Sequence, residues 1–148
     1  MIGFKRLMLY FIVTVLSGVS NIAIKLVPFK TLIRLMTNEV EVKAEVLTNK
    51  QAYRLESVVL VLNRIHNHVF WRVKCYEQAL VALFFARLLG ADMMIYFGVM
   101  KGEQGELLAH TWTQSGGMYI TGGDNAHEFS VVYNRGYRKK GLYVNKNR

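Results

Sequence analysis

The spacing of apolar residues changes at Gly90, and this change constrains the fold more than any other feature of the chain. Before Gly90, apolar residues recur at helical spacing, which predicts helices over residues 4–26, 29–36, 50–66 and 75–89. After Gly90, short apolar runs alternate with glycine-rich turns, which predicts strands over residues 93–100, 107–113, 118–121 and 129–133. Helices first and strands afterwards indicate an α+β fold, with N-terminal helices followed by a small antiparallel β-sheet.

The length of the chain suits one domain with its own core, since 52% of its 148 residues are apolar. Residues 1–50 are predicted to form an N-terminal helical segment and residues 51–148 the main core, the two together making effectively one domain. Residues 39–47 alternate apolar and charged side chains, so a strand and an exposed helix both fit there.

The first predicted helix contains an uncharged run, residues 7–24, which follows Lys5 and Arg6. This run has the minimum length for a membrane span, and it also mimics a signal peptide. Its middle is polar at Ser17 and Asn21, which a membrane centre disfavours. A span, a membrane-associated helix and a buried amphipathic helix therefore all stay open, and cleaved secretion is the least favoured.

The net charge of +9 favours anionic partners, which include nucleic acids, membrane surfaces and acidic proteins. Cations are concentrated in residues 135–148, where no acid occurs. A solvated terminus explains this segment as well as a docking surface does. No RNA-binding or helix-turn-helix motif accompanies it, so nucleic acid is not an expected partner.

Cys75 is the only cysteine, so the chain cannot form an internal disulfide. Zinc ligation by Cys75 with some of the four histidines is conceivable, but no recognised ligand spacing supports it. The sequence therefore predicts neither a metal nor a cofactor.

The position of Cys75 allows two interpretations. A lone cysteine is most often a small buried hydrophobe. At the first turn of an apolar helix, with Arg72 and Lys74 just before it, the helix dipole and nearby cations are expected to lower its pKa and make it a nucleophile. A nucleophilic cysteine also needs a general base and a group that orients that base.

His110 is the best candidate for the base, because strand alternation places it on one face with Leu108 and Trp112. Taken alone, such a histidine is more often structural. His66 and His68 flank a helix end and are expected to be solvated, and His127 falls in a turn. His110 is thus predicted to face a core or a cleft.

Asp124 is the predicted orienting acid. It follows the strand after the His110 strand, and adjacent antiparallel strands would bring the two residues side by side. The other aspartate, Asp92, begins the first strand. Asn125 is the alternative, since an amide orients the histidine of papain-type enzymes.

A family resemblance covers nearly the whole chain. The segments that carry it are "IKLVPFKTLIRLM", "WRVKCYEQALVALFFARLLGADMMIYFGV", "LLAHTWTQSGG" and "ITGGDN". They resemble the transglutaminase-like cysteine peptidases of lasso peptide biosynthesis, which remove the leader from a ribosomal precursor peptide. The resemblance implies a transglutaminase-like, papain-like core in which Cys75 is the nucleophile, His110 the base and Asp124 the orienter.

Two positions depart from the family pattern. Tyr76 stands where leucine is usual after the cysteine, and Thr111 stands where alanine is usual between His110 and Trp112. Both leave Cys75, His110 and Asp124 unchanged, so they bear on the substrate preference that the resemblance implies more than on the reaction.

The resemblance also implies a setting. It implies a cytoplasmic enzyme with an apolar N-terminal helix, a separate protein that recognises the leader of the precursor peptide, and a lasso cyclase that acts next. The uncharged run of residues 7–24 leaves membrane association of that helix open. The alternatives are another transglutaminase-like amide hydrolase or acyltransferase, and a non-catalytic peptide- or membrane-binding scaffold.

Overall fold

A computed structural model describes residues 3–38, 46–69 and 73–139. Within these ranges the helices come first, as α1 (Phe4–Leu26), α2 (Phe29–Met36), α3 (Asn49–Ile65) and α4 (Cys75–Leu89). The strands follow, as β1 (Met93–Lys101), β2 (Leu107–Ser115), β3 (Met118–Thr121) and β4 (Ser130–Tyr137), with a 3₁₀ turn at Ala126–Glu128. The predicted α+β fold is confirmed.

The helix boundaries follow local signals in the sequence. Thr48 begins α3 with a capping box, in which its hydroxyl accepts from the Gln51 amide at 3.2 Å and the Gln51 side chain accepts from the Thr48 amide at 3.0 Å. Gly90 ends α4 as its C-cap, as predicted. Most of residues 39–47, predicted as a strand or an exposed helix, lies outside the described residues.

The sheet is antiparallel, with strand order β3-β2-β1-β4. Gly116 and Gly117 join β2 to β3 with φ angles of 59° and 79°. Two successive positive φ angles are what a two-residue type I′ hairpin turn requires. The predicted adjacency of the His110 strand and the strand before Asp124 is confirmed.

The last strand runs further than predicted. It pairs with β1 as far as Tyr137, opposite Met93, because residues 134–137 continue the ladder past the predicted end at residue 133. The solvated-terminus interpretation is therefore wrong for residues 135–139. Arg135 donates from Nε to the Thr37 hydroxyl at 2.9 Å, and the Arg138 amide donates to Asn38 Oδ1 at 2.9 Å. Residues 140–148 lie outside the described part of the chain.

Helix α4 lies at the centre of the domain, as its apolar composition predicts. Ala82 and Leu83 are fully buried on it, and they belong to one core cluster with Leu55 of α3 and Ile95 of β1. Burial of each large aliphatic side chain contributes about 1.5–3 kcal/mol. The N-terminus of α4, with Cys75, is thus positioned by the middle of the core.

Helix α1 packs through one face only. Val13, Ser17 and Asn21 are buried, whereas Phe4 and Phe11 are 80% and 70% exposed. The polar residues in the middle of the apolar run therefore face the domain, where Asn21 Nδ2 donates to Glu77 Oε1 of α4 at 3.0 Å. By length and composition α1 is apolar enough to cross a membrane, with 17% of its most apolar window buried in the domain.

We expect Asp92 to be a structural residue. Its Oδ1 accepts the Lys139 amide at 3.0 Å, and its Oδ2 lies 3.8 Å from Arg138 Nε, so it ties the start of β1 to the end of β4. Asp92→Ala should lower the free energy of unfolding by about 1–3 kcal/mol, measured by urea denaturation. Asp124→Ala, at an exposed site, should change it by less than about 0.5 kcal/mol. Equal losses in the two variants would contradict this role for Asp92.

Candidate active site

The main chain just before Cys75 is held by three contacts. Glu77 Oε2 accepts the Lys74 amide at 3.1 Å. The Val73 carbonyl accepts from His66 Nδ1 at 2.9 Å and from Gln78 Nε2 at 3.3 Å. Because a carbonyl only accepts, His66 carries a proton on Nδ1, and the bond anchors the main chain that leads into α4. The sequence indicated only a solvated histidine at a helix end.

The thiol of Cys75 is half-buried at the first residue of α4. Burial raises its pKa, and this effect outweighs the backbone amides of Thr111, Tyr76 and Cys75, which hydrogen-bond the sulfur and lower the pKa. The Glu77 carboxylate raises the pKa further. The prediction of a lowered pKa is therefore wrong for this state, because desolvation exceeds the stabilisation from the helix N-terminus.

The imidazole of His110 is half-buried and held by a main-chain carbonyl. Its Nε2 lies 2.7 Å from the Gly122 oxygen, which can only accept, so Nε2 carries the proton. In a neutral ring this leaves Nδ1 with a lone pair, as a general base requires. The rings of Trp112 and Phe129 pack beside it, at centroid distances of 5.9 and 5.1 Å.

Gly122 permits this contact through its lack of a side chain. Its φ is 67°, and a Cβ there would lie 2.5 Å from the Thr111 carbonyl oxygen and 3.1 Å from His110 Nε2. The sequence marked this glycine only as part of a turn. The group that fixes the tautomer of His110 is thus a backbone carbonyl that no motif of side chains could indicate.

Asp124 and Asn125 are exposed and lie just beyond Gly122. Among the residues that the structure describes, no hydrogen bond joins either side chain to His110. The Gly122 carbonyl occupies the ring nitrogen that an orienting acid would take. The role of Asp124 as the orienter therefore stays a prediction. Asp124 follows two residues after Gly122, whose carbonyl accepts from the imidazole.

The Cys75 sulfur lies beside the part of β2 that contains His110. The sulfur contacts the Thr111 backbone, which directly follows His110 and lies beyond the last β2–β3 pair, Thr113 with Thr121. Within the described ranges, no hydrogen bond joins the thiol to the imidazole. Catalytic hydrogen bonds are often long in free enzymes and shorten when substrate binds.

The two departures from the family pattern, Tyr76 and Thr111, lie together beside Cys75, the candidate nucleophile. Among the described residues, the Thr111 hydroxyl is buried with no partner at hydrogen-bond distance. Burial raises the pKa of Tyr76, and the nearby Thr111 side chain lowers it by less, without reaching hydrogen-bond distance. The Tyr76 ring in turn packs edge-on against Phe29 of α2, with centroids 4.7 Å apart. Sequence reasoning named Phe29 only as the start of a helix, because its contact with the site is entirely tertiary.

Arg72, named above as a cation near Cys75, lies outside the described residues. In the described ranges, no group of three or more His, Cys, Asp or Glu side chains is arranged to hold a metal ion.

We expect Cys75 to react slowly with iodoacetamide at neutral pH. Because burial raises its pKa, the reactive thiolate should be scarce, and the alkylation rate should climb about tenfold per pH unit between roughly pH 6 and pH 8. Since Cys75 is the only cysteine, mass spectrometry of the intact chain reports on it alone. The urea-unfolded protein is the control and should react faster. A rate that levels off below roughly pH 7 would instead indicate a resting thiolate.

Comparison with known proteins identifies a family. The sequence profile of the transglutaminase-like superfamily matches residues 23–134, a range that includes Cys75, His110 and Asp124. No curated protein and no solved structure matches the chain. The matched range covers well over half of the sequence and runs from the end of α1 into β4, and the chain therefore belongs to the transglutaminase-like superfamily.

Proposed function

We propose that this chain is a cysteine peptidase that cleaves the leader from a lasso peptide precursor. The observation that carries the catalytic part is the setting of Cys75, whose sulfur lies at the start of α4 among three main-chain amides and beside the strand of His110. Membership of the transglutaminase-like superfamily supports amide hydrolysis or acyl transfer. The leader as substrate rests on the resemblance of the quoted segments to lasso leader peptidases.

The first half of the proposed reaction forms a thioester. His110 Nδ1 takes the thiol proton as Cys75 Sγ attacks the carbonyl carbon at the leader–core junction. The Cys75 amide contributes to the oxyanion hole, since it points toward the reacting centre from a helix N-terminus. The imidazolium then protonates the leaving nitrogen and the C–N bond breaks. This frees the amino terminus of the core peptide and leaves the leader bound to sulfur.

The second half releases the leader. His110 takes a proton from a water molecule, whose oxygen attacks the thioester carbonyl. The C–S bond breaks, the leader leaves with a carboxyl terminus, and Cys75 regains its proton from the imidazolium. An amine in place of water would transfer the leader instead of hydrolysing it, so product analysis separates a peptidase from a transamidase.

The raised pKa of Cys75 gives His110 a defined task in this scheme. A thiol that stays protonated at rest requires the base to remove its proton during attack. The amides of Tyr76 and Thr111 then stabilise the sulfur as negative charge develops. The Gly122 carbonyl, already bonded to His110 Nε2, supports the imidazolium. Asp124 is proposed to assist from the neighbouring turn.

The proposed setting adds two partners and a location. A separate protein recognises the leader and delivers it, and a lasso cyclase consumes the freed core peptide. The enzyme is proposed to work in the cytoplasm, with α1 against the membrane. The apolar exposed face of α1 supports that location.

We expect Cys75→Ala to abolish cleavage of a precursor peptide while the protein stays folded. Loss of the nucleophile should lower kcat by more than about 10⁴-fold, as in other enzymes with a triad. Liquid chromatography with mass spectrometry would follow the release of core peptide, and circular dichroism would check the fold. Residual activity near that of the wild type would refute the nucleophile and favour the scaffold alternative.

The two aspartates supply a matched control for the same assay. Asp124→Asn should lower the cleavage rate more than Asp92→Asn, because Asp92 is occupied with Arg138 and Lys139 far along the sheet from His110. Both rates are compared at a temperature at which both variants are folded. A larger loss in Asp92→Asn would rule out Asp124 as the orienter.

A leader-recognition protein should accelerate cleavage strongly at low precursor concentration. An unstructured leader loses conformational entropy when it docks, and a helper that holds it near Cys75 raises its effective concentration to about millimolar. The test compares the isolated chain with and without the recognition protein encoded beside the precursor. Equal rates at low-micromolar precursor would contradict the proposed partner.

The cations after β4 are tested as a docking surface for the recognition protein by deleting residues 140–148, because a truncation at residue 135 would remove part of β4.

A further inference from the structure

An apolar groove of about 590 Å³ lies between α1, α3 and α4, away from Cys75. Met8, Leu60 and Leu88 line it from the three helices, and they are 49%, 57% and 69% exposed. Soluble domains seldom leave such side chains exposed together unless they meet a ligand or a surface. We call this feature the α1–α3–α4 groove.

Cations surround the groove without balancing acids. Lys5, Arg6, Arg54 and Arg64 all line it, and no aspartate or glutamate in the described part of the chain does. Among the described residues, none of these four cations forms an ion pair. Arg64 donates to the Tyr10 hydroxyl at 2.6 Å, which fixes its guanidinium at the rim and leaves further N–H groups for a ligand. The groove therefore has the chemistry to bind an anion attached to an apolar chain.

The exposed apolar surface extends from the groove along the whole of α1. Its members recur at helical spacing and are Phe4, Leu7, Met8, Phe11, Val15, Val19, Ile22 and Leu26. Residues 4–26 of an α-helix span about 33 Å. No acid occurs in residues 3–38, and Lys5, Arg6 and Lys25 flank the apolar stripe at its two ends. A peptide bound in the groove would cover only the first part of this stripe, whereas a lipid surface would cover all of it.

The contacts of α1 favour an orientation parallel to such a surface. Val13 is fully buried against the core, and Asn21 is bonded to the buried carboxylate of Glu77. A helix that crossed a bilayer would give up these contacts and leave Glu77 without one of its donors. Lying in the interface, α1 keeps its buried face on the domain and places its apolar stripe among acyl chains.

We propose that the α1–α3–α4 groove and the exposed stripe of α1 bind the surface of a membrane that contains anionic phospholipid. An acyl chain enters the apolar groove, and the headgroup phosphate meets the cations at its rim. The apolar stripe adds area, and the flanking lysines and arginine add attraction to the negative surface.

The test is sedimentation of the full-length Cys75→Ala protein with vesicles, which does not depend on catalysis. Binding should be strong to vesicles of phosphatidylcholine with phosphatidylglycerol and weak to phosphatidylcholine alone. Leu88→Asp should lower partitioning more than tenfold, since it puts a charge among the acyl chains. Arg54→Gln should lower it about fivefold, as expected for one cation near an anionic surface.

Matched variants control for general effects of these changes. Leu35 is 72% exposed and is the penultimate residue of α2, as Leu88 is of α4, so Leu35→Asp makes the same change outside the groove. Lys101→Gln removes an exposed cation from the far end of β1. Both should bind vesicles like the parent protein, and circular dichroism should show all four variants folded.

Three results would overturn the proposal. The first is equal binding to neutral and anionic vesicles, or none to either. The second is a Leu88→Asp protein that partitions like Leu35→Asp. The third is loss of precursor-peptide affinity in Leu88→Asp with vesicle binding intact, which would make the groove a peptide site.

Discussion

The buried carboxylate of Glu77 constrains much of this structure. It is 6% exposed, and a charge so placed requires hydrogen-bond donors, which the Lys74 amide and Asn21 Nδ2 provide. The first donor belongs to the residue before the candidate nucleophile and the second to α1. The carboxylate therefore joins the start of α4 to the N-terminal helix, and displacing α1 would leave it short of a donor beside Cys75. Through this side chain the position of α1 is coupled to that of α4, the helix that carries the candidate nucleophile.

Chemistry at Cys75 depends on a balance between burial and amide donors. Burial dominates in the free protein and keeps the sulfur protonated, while the amides of Thr111, Tyr76 and Cys75 are already aimed at it. Such a site is stable at rest and becomes nucleophilic when a base removes the proton. The carbonyl of Gly122 holds a proton on Nε2 of His110, and in a neutral ring Nδ1 then has the lone pair that the proposed base requires.

Helix α1 has one face buried against the domain and an opposite face that is apolar and exposed. Its buried face needs both apolar residues and the polar Ser17 and Asn21, because it lies against a core that contains a carboxylate. Its other face needs only apolar residues if it lies against lipid. A hydropathy profile averages the two faces, which is why α1 resembles a membrane span although it packs along a domain.

The sequence by itself determined the order and extent of the helices, the antiparallel hairpins and the segment that carries the candidate nucleophile. Periodicity, capping residues and paired glycines act within a few residues of the chain, so they can be read without knowing the fold. The extra length of β4, the pKa of Cys75 and the bond between His110 and Gly122 could not be predicted. Each arises from groups distant in sequence, namely the ladder with β1, the core around the thiol and a backbone carbonyl with no side-chain signature. Local interactions define the helices and strands. Only the packing of these elements decides how far the Cys75 thiol is buried and which atom hydrogen-bonds the His110 imidazole.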